Sequence, residues 1–535
     1  MSALTAALDA PHQTAVRVRE GEWIPWDALI ERSRQRAAAL EAHGLEPGDR
    51  LLLALPTSEE LLELLLACFR LGVVPACVGS AEGVGAEGPF AARLTHVVTL
   101  LEPRAIVCEP VLVEPLSASG VPRWTPDQLT SGARVEVARA LPDDALLYLQ
   151  LTSGSSGPPR AVKIPRGALC ANVDQIARAH GGVQGDAGVF WLPLFHDMGL
   201  VAGFLTPLLE DAYVHLLRPL DFLRRPATWL RAVGDAPGRH VRSAVPTFAL
   251  AYAARRVSDQ ELAELDLSRL ASVLVGAEPV PAPVLAAFQA RFAAAGLPAT
   301  ALRQPELRPG GGYRRRLDPG REPYRALTLS RSALAEGGRV EPPADEADAQ
   351  VLVGNGPPLP DVEVWIADGE GRRLPEGEVG QVLVQGENLH AGYVGEPPRE
   401  GPLETGDLGF LYEGQLYVTG RIKDVIILRG HNHHPAEVEW AAQAVPGVRP
   451  GRVAAFGAPG PDGLERLSVL LELERGAELP TVTVGVRRAV RAACGLSVDG
   501  LRVVERGEFP VTTSGKVRRG AARAMFLRLE AAEGA

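Results

Sequence analysis

Hydrophobic residues follow two alternating periods through the first two thirds of the chain. They recur at helical spacing over 26–43 and 59–71, and each of these runs ends just before a glycine. Between them, 51–55 is a short continuous apolar run of the kind that forms a buried strand, and further along the chain 144–151 is a mostly apolar segment that also predicts a strand. This alternation of strand and helix patterns predicts an α/β fold in which parallel sheets are covered by helices.

The pattern changes in the last third. A stretch rich in proline, glycine and arginine at 305–324 predicts a long loop. Short strands separated by turns then follow, at 362–366, 380–384 and 415–418. They predict a small β subdomain, after which a new strand at 425–428 and a helix from about Pro435 begin another unit. We therefore expect a large N-terminal domain, 1–422, and a small α+β domain, 423–535.

Composition and charge narrow the class of protein. The 535 residues are 46% hydrophobic and 22% charged, which indicates a folded protein with more than one domain. The net charge of −10 argues against general binding to nucleic acid or anionic membranes, and no apolar run is long enough to span a bilayer. The N-terminus lacks a secretory signal, and the five scattered cysteines predict reduced thiols in a cytoplasmic protein, without disulfides or a zinc site.

A run of small hydroxyl and glycine residues follows the predicted strand 144–151. Glycines allow successive backbone N–H groups to converge on an anion, the hydroxyls add donors, and an arginine follows. The predicted phosphate-binding residues are Thr152, Ser153, Gly154, Ser155, Ser156, Gly157 and Arg160. On composition alone, a flexible surface loop explains the run equally well. The Gly-x-x-x-x-Gly-Lys-Ser/Thr pattern of P-loop nucleotidases does not occur.

Four further clusters follow this run in a fixed order. They are 191–200, 275–279, 404–410 with 419–424, and 510–518. Together with the glycine-serine run, they resemble the signature series of the adenylate-forming superfamily of acyl-CoA synthetases, peptide-synthetase adenylation domains and luciferases. The segments "LPLFHDMGL" and "GRIKDVIILRGHNHHPAEVE" resemble the corresponding motifs of the fatty acyl-AMP ligases. The segment 326–340 also resembles the insertion that separates those ligases from relatives that use CoA.

The resemblance implies an ATP-dependent ligase. Such an enzyme activates a carboxylic acid, here expected to be a fatty acid, as an acyl-adenylate, and then transfers the acyl group to the phosphopantetheine thiol of an acyl carrier protein. The resemblance also implies roles for particular residues: Lys516 and His196 in catalysis, Gly276, Ala277 and Glu278 along the adenine, and Asp407 and Arg421 at the ribose. It further implies that Lys423 is the hinge about which a mobile C-terminal domain, 423–535, turns. From the residues themselves, Asp407 is expected in a Thr-Gly-Asp turn and Lys516 at the end of a glycine-containing loop.

Magnesium is expected by resemblance, but its ligand is not identified. The family has an aromatic-Gly-x-x-Glu turn whose glutamate binds this ion, and the corresponding stretch 304–317 lacks the pattern. Glu306 and Tyr313 are candidate substitutes, while 314–316 is a run of three arginines. The histidines at 431–434 are not expected to form a metal site, because adjacent histidines in a loop rarely bind one metal without a third ligand.

Two alternatives stay open. The first is a ligase of the same superfamily that forms an acyl-CoA or an amide and so differs in its acceptor. The second, from another class, is an adenylation-deficient protein that binds acyl groups or nucleotides, or acts as a scaffold. The absence of the aromatic-Gly-x-x-Glu pattern at 304–317 is the observation that favours the second alternative.

Overall fold

The computed structural model describes residues 3–80, 89–152, 160–180, 184–276, 280–303, 324–334, 336–346, 348–428, 431–459, 465–512 and 515–533. The helices are α1 Ala3–Asp9, α2 Trp26–Ala42, α3 Glu59–Leu71, α4 Pro89–Leu101, α5 Pro110–Val113, α6 Arg166–His180, α7 Thr206–Leu209, α8 Pro219–Arg224, α9 Ala227–Asp235, α10 Thr247–Arg256, α11 Asp259–Ala263, α12 Ala282–Phe292, α13 Pro435–Gln443, α14 Leu479–Cys494 and α15 Arg519–Glu533. A π-helical segment, Met198–Leu205, precedes α7, and 3₁₀ turns occur at Ser117–Ser119, Pro126–Gln128, Ala293–Ala295, Ser332–Leu334 and Ile422–Asp424.

The strands alternate with these helices in the first half of the chain and dominate the second half. They are β1 Ala15–Val18, β2 Trp23–Pro25, β3 Arg50–Ala54, β4 Val74–Cys77, β5 Ala105–Cys108, β6 Arg123–Trp124, β7 Leu146–Leu151, β8 Ala161–Pro165, β9 Ala187–Phe190, β10 Tyr213–Leu216, β11 Val241–Pro246, β12 Leu270–Gly276, β13 Leu302–Arg303, β14 Ala326–Ser330, β15 Ala349–Val353, β16 Val362–Ala367, β17 Gly380–Gly386, β18 Leu403–Tyr412, β19 Gln415–Arg421, β20 Ile426–Leu428, β21 His431–His433, β22 Val448–Pro459, β23 Glu465–Leu473 and β24 Gly500–Val504.

The largest sheet has seven strands in the order β13-β12-β11-β9-β10-β1-β2, and only β2 runs antiparallel to its neighbour. Its two faces belong to two separate cores, one built around Trp26 and the other around Trp229. Each indole N–H reaches an acceptor, 3.0 Å from Ala212 O and 3.0 Å from Ser243 Oγ respectively. A parallel sheet buried on both faces is what the α/β prediction requires.

A second sheet, β4-β3-β5-β6, is entirely parallel and packs with the hairpin β7–β8 in a third core. Helix α3, which lies next to it, has the bounds that the hydrophobic pattern predicts. The Ser58 side chain accepts a hydrogen bond from Leu61 N–H at the start of this helix, and Gly72 ends it at φ +77°. These are the ordinary signals of a capped helix.

The last third of the chain contains the short strands that its sequence pattern predicts. Strands β16-β17-β18-β19 form an antiparallel sheet, and β14 pairs with β15 beside it. After them, α13 and α14 pack against the three-stranded sheet β22-β23-β24. This part has two hydrophobic cores of its own, and all their described residues lie at or after Ile426. The α/β prediction is therefore confirmed, whereas the domain boundary at 422/423 and the mobility of 423–535 remain predictions.

Two further expectations concern cysteines and membranes. All five cysteines are free thiols, and each except Cys170 is buried. Burial raises the pKa of Cys77 to about 12 and that of Cys108 to about 11, so these thiols are protonated at neutral pH. Within the described part of the chain, every helix is too short or too polar to cross a bilayer.

The predicted loop at 305–324 lies outside the described residues except for Tyr324.

Candidate active site

The predicted phosphate-binding run connects β7 to β8. Residues 153–157 lie outside the described part, while its two ends, Thr152 and Arg160, are described. Thr152 N–H donates to Arg160 O over 2.8 Å, and Arg160 N–H donates to Thr152 Oγ1 over 3.2 Å. The run therefore joins two antiparallel strands, and its described ends, Thr152 and Arg160, are held together by hydrogen bonds.

The Arg160 side chain already has a partner in this structure. Its Nη2 lies 2.7 and 2.9 Å from the two carboxylate oxygens of Glu396, and its guanidinium carbon lies 3.4 Å from the centroid of the Tyr393 ring. The predicted role of Arg160 at the phosphates thus remains a prediction, and the structure adds two residues that the sequence analysis missed.

His196 lies in the loop that leaves β9 at the carboxyl end of the seven-stranded sheet. Its N–H donates to Pro193 O over 3.0 Å, and its side chain is 19% exposed. The neighbouring Phe195 O accepts a hydrogen bond from Gln150 Nε2 over 2.8 Å, so β7 holds this loop in place. The imidazole Nδ1 contacts the Asp197 carboxylate, which leaves Nε2 as the ring nitrogen directed elsewhere.

Asp197 is a site residue that the sequence analysis overlooked, although it directly follows His196 in the quoted "LPLFHDMGL". Partial desolvation by the surrounding protein would raise the pKa of its carboxyl group. The contact with His196, the Met198 N–H and the positive charge of Lys516 outweigh that effect and lower the pKa to about 2. Asp197 is consequently ionised at neutral pH, and Lys516 lies within electrostatic reach of the His196 loop.

Gly276 ends β12 at the same edge of the sheet. A Cβ atom at this position would lie 4.0 Å from the Met198 methyl carbon, so the strand end faces the start of the π-helical segment after Asp197. The other two predicted adenine-binding residues, Ala277 and Glu278, lie outside the described part. In open α/β sheets, ligands bind at the carboxyl ends of the strands, which is where Gly276 and His196 lie.

Lys516 follows a tight turn before α15. Thr512 N–H donates to Lys516 O over 2.7 Å, and Lys516 N–H donates to Thr512 Oγ1 over 3.0 Å. Gly515 has φ +86°, a conformation that other residues adopt only with strain. These contacts fix the backbone of Lys516.

Asp407 and Arg421 are direct cross-strand partners on β18 and β19, and Arg421 Nε lies 2.9 Å from Asp407 Oδ1. The expectation of a Thr-Gly-Asp turn is wrong in one respect, because residues 405–407 form a bulge inside β18. Gln381 of β17 pairs with Leu408, and Leu383 pairs with Glu404. The three residues 405–407 therefore lie opposite a single residue of β17. Burial raises the pKa of Asp407, and Arg421 partly opposes that rise.

Lys423 occupies the exposed 3₁₀ turn Ile422–Asp424 between β19 and β20. The next residue is held by an arginine that the sequence analysis did not select. Arg519 Nη1 lies 2.7 Å from Asp424 Oδ2, and its Nη2 lies 2.7 Å from Glu439 Oε2 on α13. Arg519 begins α15 immediately after the Lys516 turn, so one guanidinium joins the predicted hinge to the loop that carries the predicted catalytic lysine.

His434 packs against the backbone of Gly420, next to Arg421. A Cβ atom at position 420 would clash with the imidazole Nδ1, which explains the glycine there. His434 is 8% exposed, and burial, with a smaller effect of His433, lowers its pKa to about 4. The imidazole is therefore neutral at physiological pH, and the described residues contain no cluster of potential ligands that would make it part of a metal site.

Because His434 is buried in its neutral form, we expect the free energy of unfolding to fall in mild acid. The unfolded chain takes up a proton near pH 6.5 whereas the folded protein does so only near pH 4, so the contribution to stability is complete above pH 6.5 and declines below it. Between pH 6.5 and pH 5 the decline should be about 2 kcal/mol. Urea unfolding at pH 7.5 and pH 5 measures it, and His434→Gln should remove this part of the pH dependence. An equal decline in both proteins would contradict the assignment.

His196 and Gly276 thus lie at one edge of the large sheet, and the charge of Lys516 acts on Asp197 beside His196. Asp407, Arg421 and Lys423 form a second group along β18, β19 and the turn that follows. The segment 326–340, predicted to be an insertion, forms β14 and a turn packed on the small β subdomain.

The chain is similar in sequence and in fold to known proteins. A family model described as "AMP-binding enzyme" matches residues 5–300. The long-chain-fatty-acid–AMP ligase FadD32 of Mycolicibacterium smegmatis is 31% identical over 94% of this chain and 89% of its own length. FadD25 of Mycobacterium tuberculosis, which bears the name of a fatty-acid–CoA ligase, is 31% identical over 93% of this chain and 91% of its own. A solved structure from work on fatty acyl-adenylate ligases of E. coli and L. pneumophila superposes with a TM-score of 0.85 at 27% identity, covering 99% of this chain and 98% of that one.

Proposed function

The chain belongs to the AMP-binding enzyme family, and from this premise we propose that it activates a fatty acid with ATP and passes it to a carrier protein. In the first step, a carboxylate oxygen attacks the α-phosphorus of ATP, and the bond to pyrophosphate breaks. In the second step, the phosphopantetheine thiol of an acyl carrier protein attacks the acyl carbon and AMP leaves. The resemblance to fatty acyl-AMP ligases and the class of acid ligase are confirmed by the relatives.

The similarity to relatives named as fatty-acid–AMP ligases supports the proposal most, and the effect of Lys516 on the His196 loop adds to it. Negative charge moves from the attacking carboxylate to the phosphate oxygens during adenylation, and a fixed cation at that point stabilises the transition state. The charge of Lys516 is felt at Asp197, beside His196. In the proposed site, Lys516 and His196 contact the reacting carboxylate and α-phosphate, while Asp407 and Arg421 bind the ribose.

Magnesium belongs to the proposal only as the partner of the ATP phosphates. A Mg²⁺ ion bound to a nucleotide uses one or two protein carboxylates and keeps several waters, so it needs no cluster of protein ligands. The expected ligand turn at 304–317 lies outside the described residues, and no protein ligand is assigned.

The proposal also names the acceptor of the acyl group, which is a carrier protein and not free CoA. The predicted insertion, 326–340, contains Arg331, whose guanidinium pairs with Glu437 on α13 and also donates to Ala493 O over 3.3 Å. The segment therefore contacts the part of the chain that is expected to move between the two steps. The CoA-ligase name of FadD25 favours free CoA as the competing acceptor.

An acid screen followed by an acceptor competition tests the proposal. The purified protein is incubated with MgATP and a panel of fatty, aryl and amino acids, and acyl-AMP is detected by mass spectrometry. The best acid is then offered with a phosphopantetheinylated carrier protein, with CoA and with a simple amine in separate reactions. We expect a fatty acyl-AMP and acyl transfer to the carrier protein. Efficient formation of the CoA thioester would overturn the choice of acceptor, and the absence of any acyl-AMP would overturn the proposed function.

A further inference from the structure

Arg160 is the last residue of the predicted phosphate-binding run, and its side chain already has partners. It is held by a carboxylate and an aromatic ring from a segment far along the chain. Glu396 accepts two hydrogen bonds from Arg160 Nη2, at 2.7 and 2.9 Å, and the Tyr393 ring stacks under the guanidinium carbon at 3.4 Å. A planar guanidinium satisfies both partners at once, which an ammonium group does not.

The segment that supplies these partners is also paired with the strand that follows the loop. Lys163 N–H donates to Gly392 O over 2.9 Å, and Val394 N–H donates to Ala161 O over 2.8 Å. Lys163 Nζ lies 3.3 Å from Glu396 O. Strand β8 therefore has β7 on one side and the 391–394 backbone on the other, so the position of Arg160 is fixed by two neighbours.

The hydrogen bonds between Thr152 and Arg160 extend this constraint to the other end of the loop. Because the backbones of Thr152 and Arg160 are bonded to each other, whatever fixes Arg160 also fixes Thr152. We propose that Arg160, Tyr393 and Glu396 form a clamp that positions the two ends of the nucleotide-binding loop. Arg160 is thus a positioning residue, acting through the loop backbone, and not a direct phosphate ligand. This inference rests on the proposed use of ATP.

The two roles make opposite predictions for Glu396. If Arg160 binds phosphate directly, Glu396 competes with the nucleotide for the guanidinium, and its removal leaves ATP affinity unchanged or tighter. If Arg160 is part of a clamp, removal of Glu396 releases the loop ends and weakens ATP binding. The Arg160–Glu396 pair is half-exposed, so its loss has little effect on global stability. A change in affinity is therefore separable from unfolding.

The chain contains a matched control for this cluster. Two residues of β16, Glu363 and Trp365, hold Arg373: its guanidinium carbon lies 4.4 Å from the centroid of the Trp365 ring, and its Nη2 lies 2.6 Å from Glu363 Oε1. The chemistry is the same, and both members of the pair are about as exposed as Arg160 and Glu396. Neither Glu363 nor Arg373 lies in the candidate site.

The test measures the Kd for ATP by isothermal titration calorimetry in the presence of MgCl₂, together with the KM values for ATP and for the acid. Glu396→Gln and Arg160→Met should each raise the Kd and KM for ATP roughly tenfold, with the KM for the acid unchanged. The double variant should be no worse than either single one, because both break the same unit. Glu363→Gln and Arg373→Met should bind ATP as the unaltered protein does.

Three results would overturn the clamp: unchanged or tighter ATP binding by Glu396→Gln, multiplied effects in the double variant, or equal weakening in the β16 controls. If the unaltered protein binds ATP but forms no acyl-AMP with any acid, the proposed function fails, yet the Kd values still decide on the clamp. If it binds no ATP at all, both the clamp and the proposed function are wrong.

Discussion

Replacement of Lys516 by alanine is expected to slow acyl-AMP formation by on the order of 100- to 1000-fold, the usual effect of removing one preorganised group that stabilises developing charge. The Lys516 backbone is held by Thr512, and its charge reaches Asp197 beside His196. The rate is measured in a single turnover with enzyme in excess, by quenching and quantifying acyl-AMP. The KM for the acid should change much less than the rate, because the interaction is made chiefly in the transition state.

Two comparisons make this result specific. Lys516→Arg keeps the positive charge and should recover part of the lost rate, although its fork geometry differs from that of an ammonium group. Transfer of the acyl group from acyl-AMP supplied in advance should be nearly unaffected in Lys516→Ala. If the alanine variant forms acyl-AMP at the normal rate, or loses both steps equally, Lys516 does not act in adenylation.

Replacement of Lys423 by proline is expected to separate the two steps in the opposite direction. Proline fixes φ and restricts the residue before it, so the turn Ile422–Asp424 would lose the freedom that a hinge needs. Acyl-AMP formation should persist, whereas transfer to the carrier protein should fall on the order of 100-fold, because a blocked conformational step limits turnover. Both half-reactions are measured separately, as for Lys516.

Lys423→Ala is the control for this variant. It removes the exposed side chain while leaving the backbone free, so both steps should proceed at close to their normal rates. An equal loss of adenylation and transfer in Lys423→Pro would indicate damage to the site and not to the hinge. Because Arg519 ties Asp424 to the Lys516 turn, the adenylation rate of Lys423→Pro is the sensitive readout for such damage.

Much of the fold is predictable because it depends on local periodicity. Helix α3 begins at a serine that caps it and ends at a glycine, and its bounds follow from those signals. The position of Asp407 was harder to predict. Thr405, Gly406 and Asp407 have the composition of a turn, but the pairing of β17 with β18 places them in a bulge. Such pairing depends on a distant segment that the local pattern does not identify.

Some residues of the candidate site can be predicted from local sequence, and others cannot. His196, Lys516 and Arg421 are found from their motifs, and Asp197 has an available signal because it directly follows His196. The partners of Arg160 have none, since Glu396 lies 236 residues further along the chain in an ordinary loop. Arg519 likewise acquires its role only when folding brings it to Asp424 and Glu439.

Exchange of labelled pyrophosphate into ATP tests the central claim most directly, because it requires reversible formation of an acyl-adenylate and no acceptor. The account predicts exchange that depends on a fatty acid and is nearly abolished in Lys516→Ala. Binding of ATP without exchange in the presence of any acid tested would contradict it, and would support an adenylation-deficient binding protein instead.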